Sequence, residues 1–440
     1  MKKIKKWQRV CSLLSLAFPI IISQLGTIIQ GWADTIMVGQ YGTPELSAAG
    51  LVNNIFNFVL YFLLGISYAS TPVVGAYFSK GDHEGVVQAR RSSILVNLTS
   101  SLFVVLLLFI LYINIDILGQ PKELLPVIRP YFVVLLWSLP FLAIFIALKQ
   151  CCEATGDTKT PMVVMLGGNM LNAGLNYLLI FGHLGFPELG LFGAGIATLS
   201  SRIIMMSVLL FYRQYNSSDL HKSDWGFQDA LRLIRLGIPI STQLCLEAGS
   251  FNVCALFMGW IGASALAAHQ VMCTVGTFGF MIYYGIGSAA AIRISYYRGQ
   301  NKWEEVKATA RTAVLISFCF SAIVVCVICF FSTNIALLFT SSLEVITLFL
   351  SFLTSFVCYQ IGDCIQTICA NCLRALEDGR YLMISAFISY GLISIPLAYA
   401  FAFSLGGGAK GVWWSFPIGL TTAGVLYLYR FNQLIRKHKK

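Results

Sequence analysis

The sequence predicts an all-α integral membrane protein, with twelve transmembrane helices in two six-helix lobes. Three observations predict this fold class: an apolar composition, twelve apolar runs long enough to cross a bilayer, and an internal repeat. The chain has 440 residues, of which 57% are hydrophobic and 11% are charged, with a mean hydropathy of +0.75. Soluble domains carry about 25% charged residues, so this composition excludes an ordinary soluble protein.

A transmembrane helix needs roughly 20 apolar residues to cross about 30 Å of hydrocarbon. Twelve runs meet this length, at roughly 11–39, 46–79, 86–113, 124–154, 160–181, 188–214, 230–261, 263–298, 303–331, 342–376, 379–403 and 408–434. The strongest polar interruption separates the sixth run from the seventh. We therefore predict an N-lobe (residues 1–214, helices 1–6), a cytoplasmic linker (215–229) and a C-lobe (230–440, helices 7–12 with a basic cytoplasmic tail).

The positive charges predict how the chain is oriented. The formal net charge is +11, but the cations recur at alternate ends of the apolar runs and form no stripe that would bind nucleic acid. With the N-terminus inside, the outer loops hold only Lys122, Arg129 and Lys410. We expect a multi-pass protein of a bacterial cytoplasmic (inner) membrane, with both termini cytoplasmic and an uncleaved first span.

The two halves of the chain repeat one another. At an offset of 220, matching residues include Pro19 with Pro239, Gly42 with Gly262, Gly65 with Gly285, and Arg91 with Arg311. At an offset of 221, Asp157 matches Asp378. Because each half has an even number of spans, the repeats have the same orientation and a pseudo-two-fold axis along the membrane normal. Such repeats are typical of transporters. A channel is less favoured, since no motif resembling a selectivity filter is present.

Three carboxylates lie well inside predicted spans: Asp34, Glu247 and Asp363. Insertion scales put the cost of a charge at the helix centre at about 2.5–3.5 kcal/mol, so such acids are functional candidates by default. No Lys or Arg lies within two helical turns of any of them along the chain. We predict that they exchange protons or bind cations. Tyr359 precedes Asp363 by four residues, on the same helix face, and could share a cation or proton with it.

Amides and a hydroxyl form a second candidate group in spans five and six. Asn172 and Asn176 are four residues apart, and Thr198 follows in the next span. Their oxygens suit sodium as ligands. Asparagine pairs in membrane helices also link helices by hydrogen bonds, so the residues alone leave both roles open.

Other motifs predict no enzyme and no bound cofactor. The thirteen cysteines lie in or beside apolar runs, and their two CxxC pairs have no histidine nearby, so neither a zinc site nor a disulfide framework is expected. We interpret His269 as a hydrogen-bonded helix residue. Nucleophile-elbow, HExxH and Walker motifs are missing from the sequence, which disfavours a membrane-embedded enzyme.

Several segments resemble the multidrug and toxic compound extrusion (MATE) transporters. They are Asp34-Thr-Ile-Met-Val-Gly39 with Leu46-Ser-Ala-Ala-Gly50, then Leu246-Glu-Ala-Gly-Ser-Phe251, Met258-Gly-Trp-Ile-Gly262, Leu266-Ala-Ala-His-Gln270, and Cys372-Leu-Arg-Ala-Leu-Glu-Asp378. The resemblance covers nearly the whole chain and is closest to the bacterial norfloxacin-extruding branch. It implies a twelve-helix, two-lobe antiporter that exports cationic and amphipathic compounds by alternating access, driven by sodium or proton gradients.

The resemblance also implies site residues. The C-lobe cation site would comprise Glu247, Asp363 and Tyr359. The N-lobe sodium or proton site would comprise Asp34, Asn172, Asn176 and Thr198. One departure matters, because Asn176 stands where some members of the family have an acid. That substitution lowers the charge of the site and leaves the coupling ion open. Since the repeat places Thr27 opposite Glu247 and Leu142 opposite Asp363, we expect two unlike sites, one in each lobe.

The expected partners are small cationic or amphipathic molecules and the lipid bilayer, without nucleic acid, for a monomeric protein. An alternative within the same superfamily is a flippase for lipid-linked precursors. A flippase would need a basic cavity for pyrophosphate, and only Arg202 and Arg293 come near such a position. A major-facilitator carrier also has two six-helix halves. Its charged loop after span two is absent, and Ser79-Lys-Gly-Asp-His-Glu84 stands there instead.

Overall fold

A computed structural model describes residues 2–119, 121, 123–215 and 226–438, which contain helices and connecting turns and no strand. The first half of the chain forms seven helices, α1 (Lys2–Tyr41), α2 (Thr43–Tyr68), α3 (Ser70–Ser79), α4 (His83–Ile113), α5 (Leu125–Ala154), α6 (Lys159–Phe181) and α7 (Gly190–Tyr215). The second half forms nine, α8 (Phe227–Ile261), α9 (Ala263–Gly299), α10 (Trp303–Phe330), α11 (Ser332–Phe339), α12 (Leu343–Ser351), α13 (Leu353–Ala375), α14 (Gly379–Ala386), α15 (Ile395–Tyr399) and α16 (Gly408–Lys437). The all-α prediction is confirmed.

Three of the predicted spans are interrupted, the second span by a break at Ala69 between α2 and α3. The pair α12–α13 bends by 50° at Phe352. The eleventh span widens into π-helix at Phe387–Ser394 and again at Ala400–Ser404, on either side of Pro396. Proline has no N–H to donate, and its ring excludes the carbonyl four residues earlier. The wider π turns accommodate this defect without ending the helix.

Within the described residues, ten helical segments are long and apolar enough to cross a membrane, and the bent pair α12–α13 makes an eleventh. The α16 helix has 30 residues and packs along α13, but it falls below the same apolarity threshold. Counted with these eleven, α16 corresponds to the twelfth predicted span.

Contacts between residues divide the chain into two compact units. One comprises Ile22–Ser241, and the other comprises Met1–Ile21 together with Thr242–Lys440. Both divisions fall two residues after a helix-interior proline, Pro19 in α1 and Pro239 in α8. Residues 216–225 of the predicted linker lie outside the described part of the chain, while α8 already begins at Phe227. The predicted lobe boundary at 215–229 therefore stays a prediction.

Each unit has its own apolar core. In the unit of residues 22–241, α2, α4 and α5 bury a cluster that includes Phe56, Leu63, Phe132 and Leu139. In the other unit, α9, α13 and α16 enclose large aromatic side chains, including Phe349, Phe356, Trp413 and Phe416. These cores position the helix segments that bear the candidate site residues: α6, α7 and the part of α1 after Ile21 in one unit, and α13 and the part of α8 from Thr242 in the other.

Candidate functional site

The first candidate site lies within the unit of residues 22–241 and joins α1, α6 and α7. Asn176 on α6 donates a 2.6 Å hydrogen bond from its amide nitrogen to Oδ1 of Asp34 on α1. Asn172, one turn earlier on α6, is fully buried, and its amide reaches the hydroxyl of Thr198 on α7 at 3.4 Å. The structure therefore brings together the four side chains that the sequence placed in the N-lobe site.

The amide of Asn172 can lie either way round, and the charge on Asp34 decides between the two orientations. With its nitrogen towards Asp34, it donates to Oδ1 at 3.0 Å, and its oxygen accepts from the backbone N–H of Thr198 at 3.2 Å. The opposite orientation places the amide oxygen beside the carboxylate oxygen. Two acceptors side by side are favourable only when Asp34 is protonated or a cation lies between them.

Sequence reasoning missed the positive charge of this first site. Arg202 on α7 interacts electrostatically with Asp34 and donates a 2.5 Å hydrogen bond to the hydroxyl of Ser138 on α5. Arg202 follows Thr198 by four residues, so the two side chains share one face of α7. This four-residue spacing was the signal that the sequence offered for Arg202. It indicates that Arg202 lies near Asp34 only once α1 and α7 are known to pack together.

The second candidate site lies in the other unit and is centred on Glu247 of α8. Its Oε2 accepts two hydrogen bonds, from Nε2 of Gln243 at 2.8 Å and from Nε2 of Gln366 at 3.2 Å. Gln243 in turn accepts a 2.7 Å hydrogen bond from Nη2 of Arg374. Glu247 is therefore held by neutral amide donors, and the nearby guanidinium of Arg374 offsets part of its charge.

A hydrogen-bond chain connects Glu247 with the second acid, Asp363 on α13. The hydroxyl of Thr367 lies 3.2 Å from Oδ1 of Asp363 and 3.0 Å from Oε1 of Gln366, and Gln366 donates to Glu247. The hydroxyl has one proton and can donate to only one of these acceptors at a time. A change of charge on one acid therefore changes which acceptor the Thr367 hydroxyl prefers. Through Gln366, this changes the hydrogen bonding of the other acid.

Tyr359 lies one turn before Asp363 on α13, buried among aromatic rings. Its ring stacks on Phe356 at 5.7 Å between centroids and meets Phe251 edge-on at 6.3 Å. The phenol interacts electrostatically with both Asp363 and Glu247. The structure thus gathers the three residues predicted for the C-lobe site, although within the described residues no hydrogen bond joins Tyr359 directly to Asp363.

Sequence reasoning missed the polar partners of the second site: Gln243, Gln366, Thr367 and Arg374. Arg374 follows Asp363 by eleven residues, close to three helical turns, and Gln243 precedes Glu247 by four. Both spacings place the pairs on one helix face. They were not distinctive by themselves, because helical spacing also places many ordinary core residues in this way.

Two buried oxygens in these sites have no hydrogen-bond partner among the described residues, Oδ1 of Asn176 and Oδ2 of Asp363. Buried polar atoms are normally satisfied, and an orphan oxygen next to a carboxylate suits a cation or an added proton. No group of three or more His, Cys, Asp or Glu residues suited to hold a metal ion occurs in the part of the chain that the structure describes. Carboxylate, amide and hydroxyl oxygens are instead suitable ligands for sodium.

Taken together, an all-helical polytopic chain with a parallel repeat and buried acids in its span interiors defines a membrane transport protein. The MatE family model matches residues 19–178 and 239–400, one segment in each half of the repeat. The chain therefore belongs to the MatE family, and it is a multi-pass membrane transporter and not an enzyme.

Solved structures with this fold cover nearly the whole chain. A MOP-superfamily transporter from Pyrococcus furiosus, whose binding pocket is described as having reverse polarity that suggests a different function, superimposes with a TM-score of 0.89 at 20% identity, over 98% of this chain and 97% of that one. A mutant of the Vibrio cholerae MATE transporter VcmN gives a TM-score of 0.89 at 20% identity over 98% of both chains. The eukaryotic MATE transporter AtDTX14 gives 0.88 at 20% identity, again over 98% of both. These likenesses establish the predicted twelve-helix, two-lobe fold.

Proposed function

We propose that the protein is a cation-coupled antiporter that exports cationic and amphipathic small molecules by alternating access, with sodium or protons as the coupling ion. The observation that carries this proposal is the pair of acidic clusters, each with a buried oxygen that lacks a hydrogen-bond partner among the described residues. One contains Asp34 and the orphan oxygen of Asn176, and the other contains Glu247 and the orphan oxygen of Asp363.

Competition for the buried negative charge would provide the coupling. A carboxylate in an apolar span is stabilised by a proton, a sodium ion or a cationic substrate, and each of these removes the need for the others. In the second site, the chain through Gln366 and Thr367 connects the two acids, so occupancy at one changes the other. Ion entry would therefore release the substrate, and ion departure would allow the next substrate to bind.

The charge balance is consistent with antiport. Moving one charge across 100 mV is worth about 2.3 kcal/mol. Exchange of one monovalent ion for one monovalent drug cation cancels this contribution. The chemical gradient of the ion must then drive export, unless more than one ion enters in each cycle.

The positions of the buried arginines favour this proposal over a lipid-precursor flippase. A pyrophosphate cavity needs cations whose charge is not offset. Arg202 instead interacts with Asp34, and Arg374 lies near Glu247, bonded to Gln243. Each of these two guanidinium groups therefore belongs to a cluster that already contains an acid, whereas Arg293, the other arginine near such a position, lies within two turns of the end of α9 and away from the span interior. We further propose that the protein resides in a bacterial cytoplasmic membrane with both termini inside, as the positive-inside pattern predicts.

The decisive experiment uses purified protein in proteoliposomes loaded with ethidium, with the membrane potential clamped. A sodium gradient at equal pH and a pH gradient without sodium are imposed separately. We expect one of the two gradients to accelerate ethidium transport against its concentration gradient, and empty liposomes to show no response. Ethidium transport whose rate is unchanged by either gradient would contradict coupling. Translocation of a fluorescent lipid-pyrophosphate without ethidium transport would identify a flippase instead.

A further inference from the structure

A cavity of about 470 Å³ lies far along the chain from the acidic clusters, where the beginning of α1 meets the end of α9 and the beginning of α10. Its volume falls within the range of roughly 300–1,000 Å³ that is usual for small-molecule sites. All of its lining residues belong to the unit that comprises Met1–Ile21 and Thr242–Lys440. Neither the proposed coupling nor the proposed substrates give this cavity a role.

The lining of the cavity is basic. Arg9, Arg293 and Lys302 provide three cations, and Glu305 provides the one acid. Glu305 is engaged by Arg9 in a two-pronged ion pair, with Nε to Oε2 at 3.0 Å and Nη2 to Oε1 at 2.9 Å. This geometry pairs the charge of Arg9 with that of Glu305. The cavity therefore keeps a net positive charge of two, carried by Arg293 and Lys302.

Arg293 has a donor that lacks an acceptor. Its Nη2 donates to the hydroxyl of Ser12, but its buried Nε–H has no partner among the described residues. A buried charged donor without an acceptor is costly, and an anion would satisfy it. Lys302 is exposed and lies at the N-cap position of α10 without a side-chain hydrogen bond to the helix, at an end where the helix dipole favours negative charge. Neither Arg293 nor Lys302 has a carboxylate within ion-pair distance in the described part of the chain.

The cavity lies at the depth of the lipid headgroups. Its residues belong to the first turns of the span that begins at Trp7, the last turns of the span that ends at Gly299, and the first turns of the span that begins at Trp303. Tryptophan at span ends is typical of the membrane–water interface, and Trp7 is 70% exposed. At this boundary the most abundant anion is the phosphate of an acidic phospholipid, which basic pockets at span ends recognise.

We propose that this cavity binds the phosphate group of an anionic phospholipid. Arg293 would donate from Nε, Lys302 would supply its ammonium group, and the hydroxyl of Ser12 can donate its own proton to the same phosphate. Bound there, the headgroup connects α1 to α9 and α10 in addition to the Arg9–Glu305 ion pair. The proposal requires only the cavity and its charges, and it holds whichever ion drives transport.

The test measures binding of phosphatidylglycerol to the full-length purified protein in detergent, by native mass spectrometry and by the thermal unfolding midpoint. Phosphatidylcholine, whose choline cation neutralises its phosphate, is the lipid control. We expect phosphatidylglycerol to bind and to raise the midpoint, and the double variant Arg293→Gln with Lys302→Gln to bind it roughly tenfold more weakly. A matched double variant, Lys80→Gln with Arg436→Gln, also removes two cations, both at exposed positions outside the cavity lining, and should bind like the original protein.

A third variant distinguishes anion binding from a merely structural role. Glu305→Gln removes the only acid among the described residues that line the cavity and frees Arg9, so we expect it to bind phosphatidylglycerol more tightly even where its own midpoint is lower. Weaker binding by Glu305→Gln, or unchanged binding by the Arg293/Lys302 double variant, would overturn the proposal. Protection by millimolar inorganic phosphate, with no further effect of phosphatidylglycerol, would overturn the assignment to a lipid.

Discussion

Gly65 on α2 packs directly against the backbone of Ser241 on α8, with no room for a Cβ atom between them. The same relationship recurs 220 residues later in the other unit, where Gly285 on α9 packs against Ile21 on α1. Both contacts lie at the places where the chain passes from one unit to the other, at Ile21 and at Ser241. The internal repeat thus has a glycine against each of the two long helices, α1 and α8, at the residue where the chain passes from one unit to the other.

The glycine contacts predict a graded loss of stability. A Cβ at residue 65 would collide with the main chain of Ser241, whereas at residue 285 it would first meet the flexible Ile21 side chain and then its backbone nitrogen at 3.3 Å. We expect Gly65→Ala to cost about 1–3 kcal/mol from overpacking, and Gly285→Ala to cost less. Thermal unfolding midpoints of the purified proteins measure the difference.

Gly50 provides the control for this prediction, because it lies on the same helix as Gly65 and has no atom within 4 Å of an added Cβ. Gly50→Ala should therefore unfold at the original temperature or slightly above it, because alanine is favoured over glycine within a helix. A midpoint for Gly65→Ala as high as that of Gly50→Ala would show that α2 and α8 do not make the close contact described.

Removing the charge of either acid in the second site should stop coupled transport. Glu247→Gln and Asp363→Asn keep the size of the side chains and can still hydrogen-bond to Gln243 or Thr367, so both proteins should fold and insert. We expect ethidium transport in proteoliposomes to fall by at least about tenfold, because the amide can no longer hold a cation or release a proton.

Glu344→Gln is the matched control, since it removes an exposed carboxylate at the start of α12, outside both clusters. It should transport at the original rate. If Glu247→Gln and Asp363→Asn both transport ethidium at the original rate, these acids have no role in the mechanism.

The first site should lose ion affinity when Asn176 is replaced. Asn176→Leu keeps the branched outline of the side chain but removes the 2.6 Å donor to Asp34 and the orphan amide oxygen. We expect the half-saturating concentration of the coupling ion to rise by about tenfold, the usual effect of one lost hydrogen bond to a charged group. Asn169→Leu, two turns earlier on α6 and outside the four-residue cluster, should leave this concentration unchanged. Equal effects of the two variants would indicate general damage to α6.

Replacing Arg202, the arginine of the first site, should have the opposite effect on the affinity for the coupling ion. Arg202 interacts with Asp34 and so competes with a bound cation for the same negative charge. Arg202→Gln keeps a donor for Ser138 but removes the charge, so we expect the coupling ion to bind roughly 3- to 10-fold more tightly. Arg129→Gln, which removes an exposed cation paired with Asp116, is the control. A weaker affinity in Arg202→Gln would mean that Arg202 maintains the site geometry instead of opposing the ion.

The acids of both sites could be predicted from the sequence because a carboxylate in an apolar run is conspicuous without any structure. Asp34, Glu247 and Asp363 needed only the hydropathy of their neighbours. Their partners could not be predicted in this way. Gln366 lies 119 residues from Glu247, and Asn176 lies 142 residues from Asp34, so only helix packing shows that these side chains meet. Whether the seven predicted residues bind the coupling ion stays a prediction for the transport experiments.

By itself, the sequence determined the membrane class, the spans, the internal repeat and the three acids in the span interiors. Insertion into a bilayer depends on the apolarity of consecutive residues, which is a local property of the chain. Only the tertiary structure decided that the first part of α1 groups with residues 242–440, and that Arg374 and Arg202 accompany the acids. Hydrogen bonds and charge pairs act over a few ångströms, and their partners are set by how the helices pack.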